Sequence, residues 1–249
     1  MIIGHRGSSH LWPENSLEGF HHLRTLGVEG AEFDVHLTAD DQVVVIHDPA
    51  LNRTTHGSGA VRDRTLCELQ DTRLRESAEG LPSLEEVLEL FQGSAQELHI
   101  ELKTDTAGRP YPGLEARVLS AIHRHGVQQR SILTSFDLDV LATVRDLNRA
   151  SRILTSVDQR TLDQAGGFEQ AISRAAAIPD IYIAVEHSVL KRRMSQASSA
   201  VSADRLGVWV VNEVAELSFW LEQPIRQITT DRVDLALKLR LAQSSSSPC

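Results

Sequence analysis

Short apolar runs alternate with longer amphipathic stretches along almost all of this chain of 249 residues. Apolar runs of four or five residues that are bounded by Gly and polar residues predict strands, and the amphipathic stretches between them predict helices. A chain that alternates strands and helices in this way builds a parallel sheet covered by helices. The order therefore leaves two fold classes, a closed α/β barrel or an open doubly wound sheet.

The predicted strands are rich in Ile, Val and Leu. They are Ile2–His5, Ala31–Val35, Val43–His47, Leu98–Leu102, Ile132–Ser135, Ile153–Thr155, Ile181–Val185, Val208–Val211 and Ile228–Thr230. Asp40-Asp41 lies between the second and third runs, so residues 31–47 predict a hairpin. Without the hairpin's second strand, eight strands remain in βα order over about 250 residues, which favours a TIM (β/α)8 barrel.

The predicted helices lie between these strands and have polar or capping residues at their ends. They are Ser16–Leu26, Leu84–Phe91, Leu114–His125, Leu138–Asn148, Thr161–Ala177, Lys191–Arg205 and Val214–Gln223. The rival doubly wound sheet would place a Gly-rich phosphate loop after the first strand, and the sequence has none there. The barrel is therefore the favoured fold.

The pattern predicts one barrel domain over residues 1–243. The strand that ends in His47-Asp48 is followed by residues without a strong hydrophobic periodicity. We therefore predict a small inserted segment within about 48–97. Residues 244–249 are rich in Ser and predict a disordered tail.

Composition and charge argue against two classes of function, nucleic-acid binding and membrane insertion. The formal net charge is −9, and nucleic-acid binding, which depends on neutralising phosphates, is not expected. No apolar run approaches the ~20 residues of a membrane helix, so stable membrane insertion is not expected either. The chain begins without a signal-peptide pattern, and Cys67 and Cys249 suggest no disulfide framework. These features predict a cytoplasmic protein.

Carboxylates gather at the ends of the first strands. Glu32 and Asp34 are two residues apart on one strand, so both side chains point to one face, and Glu101 lies on the adjacent strand. Three such oxygen ligands suit Mg²⁺ or Ca²⁺ better than Zn²⁺. Salt bridges to Arg6 and Lys103 inside the barrel would explain the same charges without a metal.

Two histidines lie at the ends of different predicted strands. His5 and His47 are suited to act as general acid and general base near neutral pH. Arg6 offers a planar fork and Lys103 a point charge for phosphate oxygens. For Trp209, packing inside the barrel is the favoured interpretation, and Asp231 and Arg232 are interpreted as a local ion pair.

Six motifs in order carry a family resemblance. They are Gly4-His5-Arg6-Gly7, Pro13-Glu14-Asn15-Ser16, Glu32-Phe33-Asp34-Val35, His47-Asp48, Arg53-Thr54-Thr55 and Glu101-Leu102-Lys103. This series resembles the signature of the glycerophosphodiester phosphodiesterase family. The resemblance implies a TIM barrel with a segment inserted after the HD motif. It also implies hydrolysis of a small-molecule glycerophosphodiester to glycerol 3-phosphate and an alcohol, with Ca²⁺ or Mg²⁺.

By this resemblance the site residues take definite roles. Metal ligands would be Glu32, Asp34 and Glu101; the acid–base pair would be His5 and His47; Arg6 and Lys103 would hold the phosphate. Two alternatives remain open. One is a phospholipase or lysophospholipase of C or D type on the same barrel, and the other is a non-catalytic barrel that binds phosphorylated ligands.

Overall fold

The computed structural model describes residues 1–246 and shows a closed barrel of eight parallel strands. The strands of the described residues are β1 (Ile2–Gly4), β2 (Gly30–Leu37), β3 (Val43–Val45), β4 (Glu97–Leu102), β5 (Ser131–Ser135), β6 (Arg152–Val157), β7 (Tyr182–Glu186), β8 (Leu206–Trp209) and β9 (Gln227–Thr230). All of them except β3 form the barrel. The barrel closes because β1 pairs in parallel with both β2 and β9. The predicted TIM barrel is confirmed.

Helices follow the parallel strands in the predicted order. They are α1 (Leu17–Thr25), α2 (Leu66–Gln70), α3 (Leu84–Leu90), α4 (Leu114–Arg124), α5 (Leu138–Leu147), α6 (Gln159–Ala165), α7 (Phe168–Ala176), α8 (His187–Ala200), α9 (Val214–Leu221) and α10 (Val233–Ser246). As predicted, β3 is antiparallel to β2, in a hairpin whose turn contains Asp41 at φ 58°.

The alternation of β2 fixes the direction of its charged side chains. Ala31, Phe33 and Val35 are fully buried in the main hydrophobic core, together with side chains of the surrounding helices. Because side chains alternate across a strand, Glu32 and Asp34 then point into the barrel. The interior also contains a small apolar cluster of Ile132, Leu154 and Ala184, with Tyr182 and Trp209 packed against it.

The inserted segment lies between β3 and α3. It has a small core of its own, made by Val44, Ile46, Leu51, Val61, Leu69, Leu74 and Leu81. Since α3 packs against α1 and α4, it belongs to the outer ring of the barrel. The segment after His47-Asp48 therefore ends before Leu84.

Two predicted helices differ from the structure, and the last helix was not predicted. The predicted helix Thr161–Ala177 is two helices, because Gly166 and Gly167 have φ values of 87° and 123° that end α6 and begin α7. The predicted helix Lys191–Arg205 begins earlier, at His187, and ends at Ala200. The helix α10 was not predicted, and it covers β1.

The helix α10 also enters the predicted tail. It runs through Ser246, so residues 244–246 are helical, and residues 247–249 lie outside the described part of the chain. Among the helices that the structure describes, none combines the length and apolar character needed to cross a membrane.

Candidate active site

The three carboxylates predicted as metal ligands meet at the C-terminal mouth of the barrel. One oxygen from each of Glu32, Asp34 and Glu101 lies within 4.8 Å of the other two. The parallel register brings them together, because Asp34 is paired with Glu101 across β2 and β4. Catalytic groups of TIM barrels occupy this end of the strands.

Two cations accompany the carboxylates. The Nζ of Lys103 lies 2.8 Å from Glu101 Oε1 and 3.3 Å from Asp34 Oδ1. The Nε of Arg6 lies 3.5 Å from Asp34 Oδ2. Burial opposes ionisation of Asp34, but Lys103 and Arg6 prevail and hold its pKa well below the ordinary value. These contacts are the predicted salt bridges.

The salt bridges leave one carboxylate without enough positive charge. Within residues 1–246, Glu32 Oε1 is a buried oxygen that accepts no hydrogen bond. Burial, followed by repulsion from Asp34 and Glu101, raises the pKa of Glu32 well above its usual range. A divalent cation would supply the missing charge, and an all-oxygen ligand set suits Mg²⁺ or Ca²⁺. The residues present therefore fit a divalent metal site.

His5 lies beside this cluster and is held by an acid that the sequence did not assign to it. Its Nδ1 is 2.7 Å from Asp231 Oδ1, and its Nε2 is 3.9 Å from Glu32 Oε2. Asn212 donates to the other oxygen of Asp231 at 2.6 Å. The predicted ion pair between Asp231 and Arg232 is wrong, because Arg232 pairs with Asp234 instead.

His47 is held in the same manner by its neighbour in sequence. Its Nδ1 lies 2.7 Å from Asp48 Oδ1. Burial lowers the pKa of His47 below the ordinary histidine value. A carboxylate on Nδ1 fixes the ring orientation and leaves Nε2 as the nitrogen that can exchange a proton. Both histidines thus have the same arrangement, each just after the end of a separate strand.

The backbone before α1 also takes part in the site. Arg6 has φ 49°, in the left-handed region, and its N–H donates to Glu32 Oε2 at 3.1 Å. Asn15 has φ 56° and donates from Nδ2 to Asp34 Oδ2 at 3.0 Å, so it reaches the site. Non-glycine residues in this region are uncommon and concentrate at functional sites.

Two cavities open beside the charged groups. A narrow one of about 80 Å³ is lined by His5, Arg6 and Glu32 and continues down into the barrel. A wider cleft of about 750 Å³ runs from His47 outward between the loops after β4, β5 and β6. Phe136 and Trp209 stand edge to face at 5.5 Å and line both cavities. Trp209 packs inside the barrel as predicted, and it also contributes to the wall of the site.

Comparison with known proteins agrees with this geometry. The model of the glycerophosphoryl diester phosphodiesterase family matches residues 5–235. A glycerophosphodiester phosphodiesterase of Bacillus altitudinis is 33% identical over 96% of this chain and 97% of its own length. One from Caldanaerobacter subterraneus is 37% identical, over 59% of this chain and 62% of its own length.

Solved structures share the fold. A putative glycerophosphoryl diester phosphodiesterase of Agrobacterium tumefaciens superposes with a TM-score of 0.87, at 30% identity and 98% coverage of both chains. A phosphodiesterase of Oleispira antarctica, solved in complex with the product sn-glycerol-3-phosphate, has a TM-score of 0.74 at 22% identity, with 96% of each chain covered.

Fold and site together define a barrel enzyme that acts on phosphodiesters. More narrowly, the chain belongs to the glycerophosphoryl diester phosphodiesterase family.

Proposed function

We propose that this enzyme hydrolyses glycerophosphodiesters to glycerol 3-phosphate and an alcohol, with His5 and His47 as its acid–base pair. One observation carries the proposal. Two histidines, each oriented through Nδ1 by a carboxylate, line one small cavity together with Glu32 and Glu101. The names of the relatives and the product bound in the Oleispira antarctica neighbour support the same substrate class.

Glu32, Asp34 and Glu101 would hold a divalent cation, Mg²⁺ or Ca²⁺. When bound, such an ion polarises the phosphoryl oxygens and neutralises charge that builds in the transition state. The remaining chemistry belongs to the side chains of this chain. Lys103 contacts two of the three carboxylates, so its positive charge would lie beside an anionic substrate bound at the metal site.

Arg6 and Lys103 would bind the phosphate. Burial opposes the charge on both side chains, but the neighbouring carboxylates raise the pKa of each above its ordinary value. Both side chains therefore remain cationic, and preorganised cations stabilise an anionic transition state without rearranging. This positive charge at the edge of an acidic cluster selects a phosphodiester over a neutral ester.

The histidines would move protons at their Nε2 atoms. One accepts the proton of the attacking hydroxyl, and the other donates a proton to the departing alkoxide, whose expulsion would otherwise be slow. Asp231 and Asp48 stabilise the imidazolium that forms on each ring and keep Nε2 directed into the cavity. Replacing either histidine by Ala should reduce turnover by about 10²- to 10⁴-fold.

The decisive experiment is hydrolysis of glycerophosphocholine by metal-free enzyme, followed by titration with Mg²⁺ and Ca²⁺ and detection of glycerol 3-phosphate. We expect activity only with a metal, and its loss in Glu32→Gln. Glu213→Gln is the matched control, because Glu213 is an exposed carboxylate that follows β8.

Two outcomes would contradict the proposal. Full activity without any divalent ion would remove the metal site from the mechanism. Hydrolysis of lysophosphatidylcholine in the absence of hydrolysis of glycerophosphocholine would favour the lysophospholipase alternative. The predicted cytoplasmic location stays a prediction.

A further inference from the structure

A single side chain from the inserted segment joins two parts of the site. The guanidinium of Arg53 donates from Nε to Asp48 Oδ2 at 2.7 Å and from Nη2 to Asp48 Oδ1 at 3.0 Å. It also donates to both oxygens of Glu14, at 2.7 and 2.8 Å. Its planar fork is therefore shared between two carboxylates in bidentate geometry.

Each of these carboxylates contacts a side chain with a proposed role. Asp48 Oδ1, which accepts from Arg53, is also the oxygen 2.7 Å from His47 Nδ1. Glu14 Oε1 accepts from Arg6 Nη1 at 3.4 Å. A continuous chain of charged contacts thus runs from His47 through Asp48, Arg53 and Glu14 to Arg6.

Arg53 lies in the part of the inserted segment that its small core holds in place. Leu51, two residues before Arg53, is fully buried in that core, and its carbonyl accepts from the N–H of Thr55 at 3.1 Å. The backbone on both sides of Arg53 is therefore anchored. A rigid base is what a side chain needs if it is to hold other groups in a fixed geometry.

The energetics favour orientation over stability as the purpose of this contact. The Arg53 side chain is 47% exposed. Exposed ion pairs contribute little to folding. Orientation of an imidazole by a fixed carboxylate, in contrast, has large kinetic effects, because it selects the tautomer and direction of the ring. Hydrogen bonding from Arg53 also lowers the pKa of Asp48 to about 2, so Asp48 stays an acceptor.

We infer that Arg53 is a positioning residue, which fixes Asp48 to orient His47 and fixes Glu14 to orient Arg6. The inserted segment is then a scaffold for the site as well as a part of its rim. The inference rests on the proposed function for its kinetic test, and it assigns Arg53 no contact with the substrate. Removal of Arg53 should leave the backbone at both histidines unchanged but let the His47 ring and the Arg6 guanidinium change orientation.

The kinetic test compares Arg53→Gln, Asp48→Asn and the double variant with glycerophosphocholine and saturating divalent metal. We expect Arg53→Gln to lower kcat by about 10- to 100-fold, as loss of an orienting partner does. The loss in the double variant should be smaller than the product of the two single losses, because the part of the Arg53 effect that acts through Asp48 is already absent in Asp48→Asn and only the part through Glu14 and Arg6 remains. If the two losses multiply in full, Arg53 does not act through Asp48 and the inference fails.

Two further variants separate the positioning role of Arg53 from the effect of its charge and from a general effect of removing an arginine of the inserted segment. Arg53→Lys keeps the positive charge but cannot bind two carboxylates in bidentate geometry, so it should remain close to Arg53→Gln. A kcat near that of the wild type in Arg53→Lys would overturn the inference. Arg75→Gln is the matched control, since Arg75 is an exposed arginine of the same segment whose side chain donates to the Asn52 carbonyl at 3.2 Å. It should retain wild-type kcat.

A readout independent of turnover keeps the inference separate from the proposed function. The imidazole proton resonance of His47, assigned by its loss in His47→Gln, should report the hydrogen bond to Asp48. We expect that resonance to broaden or disappear in Arg53→Gln while the melting temperature changes little. An unchanged resonance would overturn the inference even if the wild type hydrolysed no glycerophosphodiester. An inactive wild type with the expected spectral change would overturn the proposed function alone.

Discussion

The strand β4 carries a glutamate at each end of the barrel, and the two have opposite surroundings. Glu97 and Glu101 lie on the same face, and His99 lies between them. Glu97, at the base, lies 2.6 Å from Arg152, 2.5 Å from Arg226 and 3.3 Å from His99. Glu101, at the mouth, has Lys103 but also faces two other carboxylates.

The comparison teaches that the balance of charge, and not the residue type, separates a stabilising cluster from a binding site. At the base, one carboxylate receives two guanidinium groups. At the mouth, three carboxylates share two cations, and the buried oxygen Glu32 Oε1 has no partner within the described residues. Buried charge without a partner is costly and is retained where a ligand supplies the missing charge.

The largest expected effect is on activity at the mouth. Glu101→Gln should reduce kcat/KM by more than about 100-fold, because even the outer partners of metal ligands contribute 10- to 100-fold. The free energy of unfolding of the metal-free enzyme should stay the same or rise, since one of three mutually repelling carboxylates is removed. Turnover and chemical denaturation of the same preparation measure both effects. A large loss of stability would show that the two ends of β4 do not differ as described.

The second effect is on stability at the base. Glu97→Gln leaves Arg152 and Arg226 without a counter-charge. Breaking a fully buried pair costs about 3–5 kcal/mol. Since 27% of the Arg152 side chain is exposed, we expect a smaller loss of about 2–3 kcal/mol in the free energy of unfolding. Well below its melting temperature the variant should retain wild-type turnover, and a loss of turnover there would place Glu97 in the catalytic machinery.

The third effect is on the pH dependence of stability. Burial opposes ionisation of Glu97, but hydrogen bonds from His99, Arg226 and Arg152 prevail and lower its pKa far below the usual value. A lowered carboxyl pKa contributes stability that is present above the unfolded pKa of about 4.5 and is lost as the pH falls toward the folded pKa. The wild type should therefore lose stability below about pH 4.5, and Glu97→Gln should lose less.

The contribution of Glu32 to the pH dependence of stability should have the opposite sign. The raised pKa of this residue means that its charged form destabilises the folded, metal-free enzyme at neutral pH, and that this penalty disappears as the pH falls through the folded pKa. Glu32→Gln should therefore raise the stability of the metal-free enzyme at pH 7. Denaturation curves of Glu32→Gln and Glu97→Gln at pH 7 and pH 4 test both signs in one series. Equal slopes with pH in the two variants would contradict the comparison.

Much of the mouth could be predicted because it depends on local spacing. Two-residue spacing on β2 fixed the shared direction of Glu32 and Asp34, and the order of the strands placed Glu101 beside them. The support of His5 by Asp231 could not be read from local spacing, because these residues are 226 positions apart. Barrel closure was the available signal, since it makes the first and last strands neighbours.

The missed helix α10 has a different cause. From Asp234 to Leu241 its sequence alternates polar or small residues with leucine, a period typical of a strand. The tertiary structure overrides this pattern, because the barrel is already closed and β1 still needs a helix to cover its outer face. The contacts of Arg53 were also not predicted, because they join two loops whose relative position depends on the folding of the inserted segment.

The smallest expected effect concerns Tyr182, whose ring packs against two arginines of the base cluster. This cluster consists of Glu97, His99, Arg152 and Arg226. The Tyr182 ring lies 4.4 Å from the guanidinium of Arg226 and 5.4 Å from that of Arg152. Each cation–π contact of this kind contributes about 0.5–1 kcal/mol at a partly exposed site. Tyr182→Leu should therefore destabilise the protein by about 1 kcal/mol, whereas Tyr182→Phe, which keeps the ring, should cost about half of that or less.

The pair of variants tests whether the base cluster works through charge alone. The hydroxyl of Tyr182 accepts from Arg152 at 3.3 Å, so Tyr182→Phe removes one long hydrogen bond and leaves the ring under both cations. If Tyr182→Leu proved as stable as Tyr182→Phe, the ring would contribute nothing and the carboxylate of Glu97 alone would hold the two arginines. Urea denaturation of the two variants beside Glu97→Gln decides between these cases, because turnover at the mouth should remain unchanged in both.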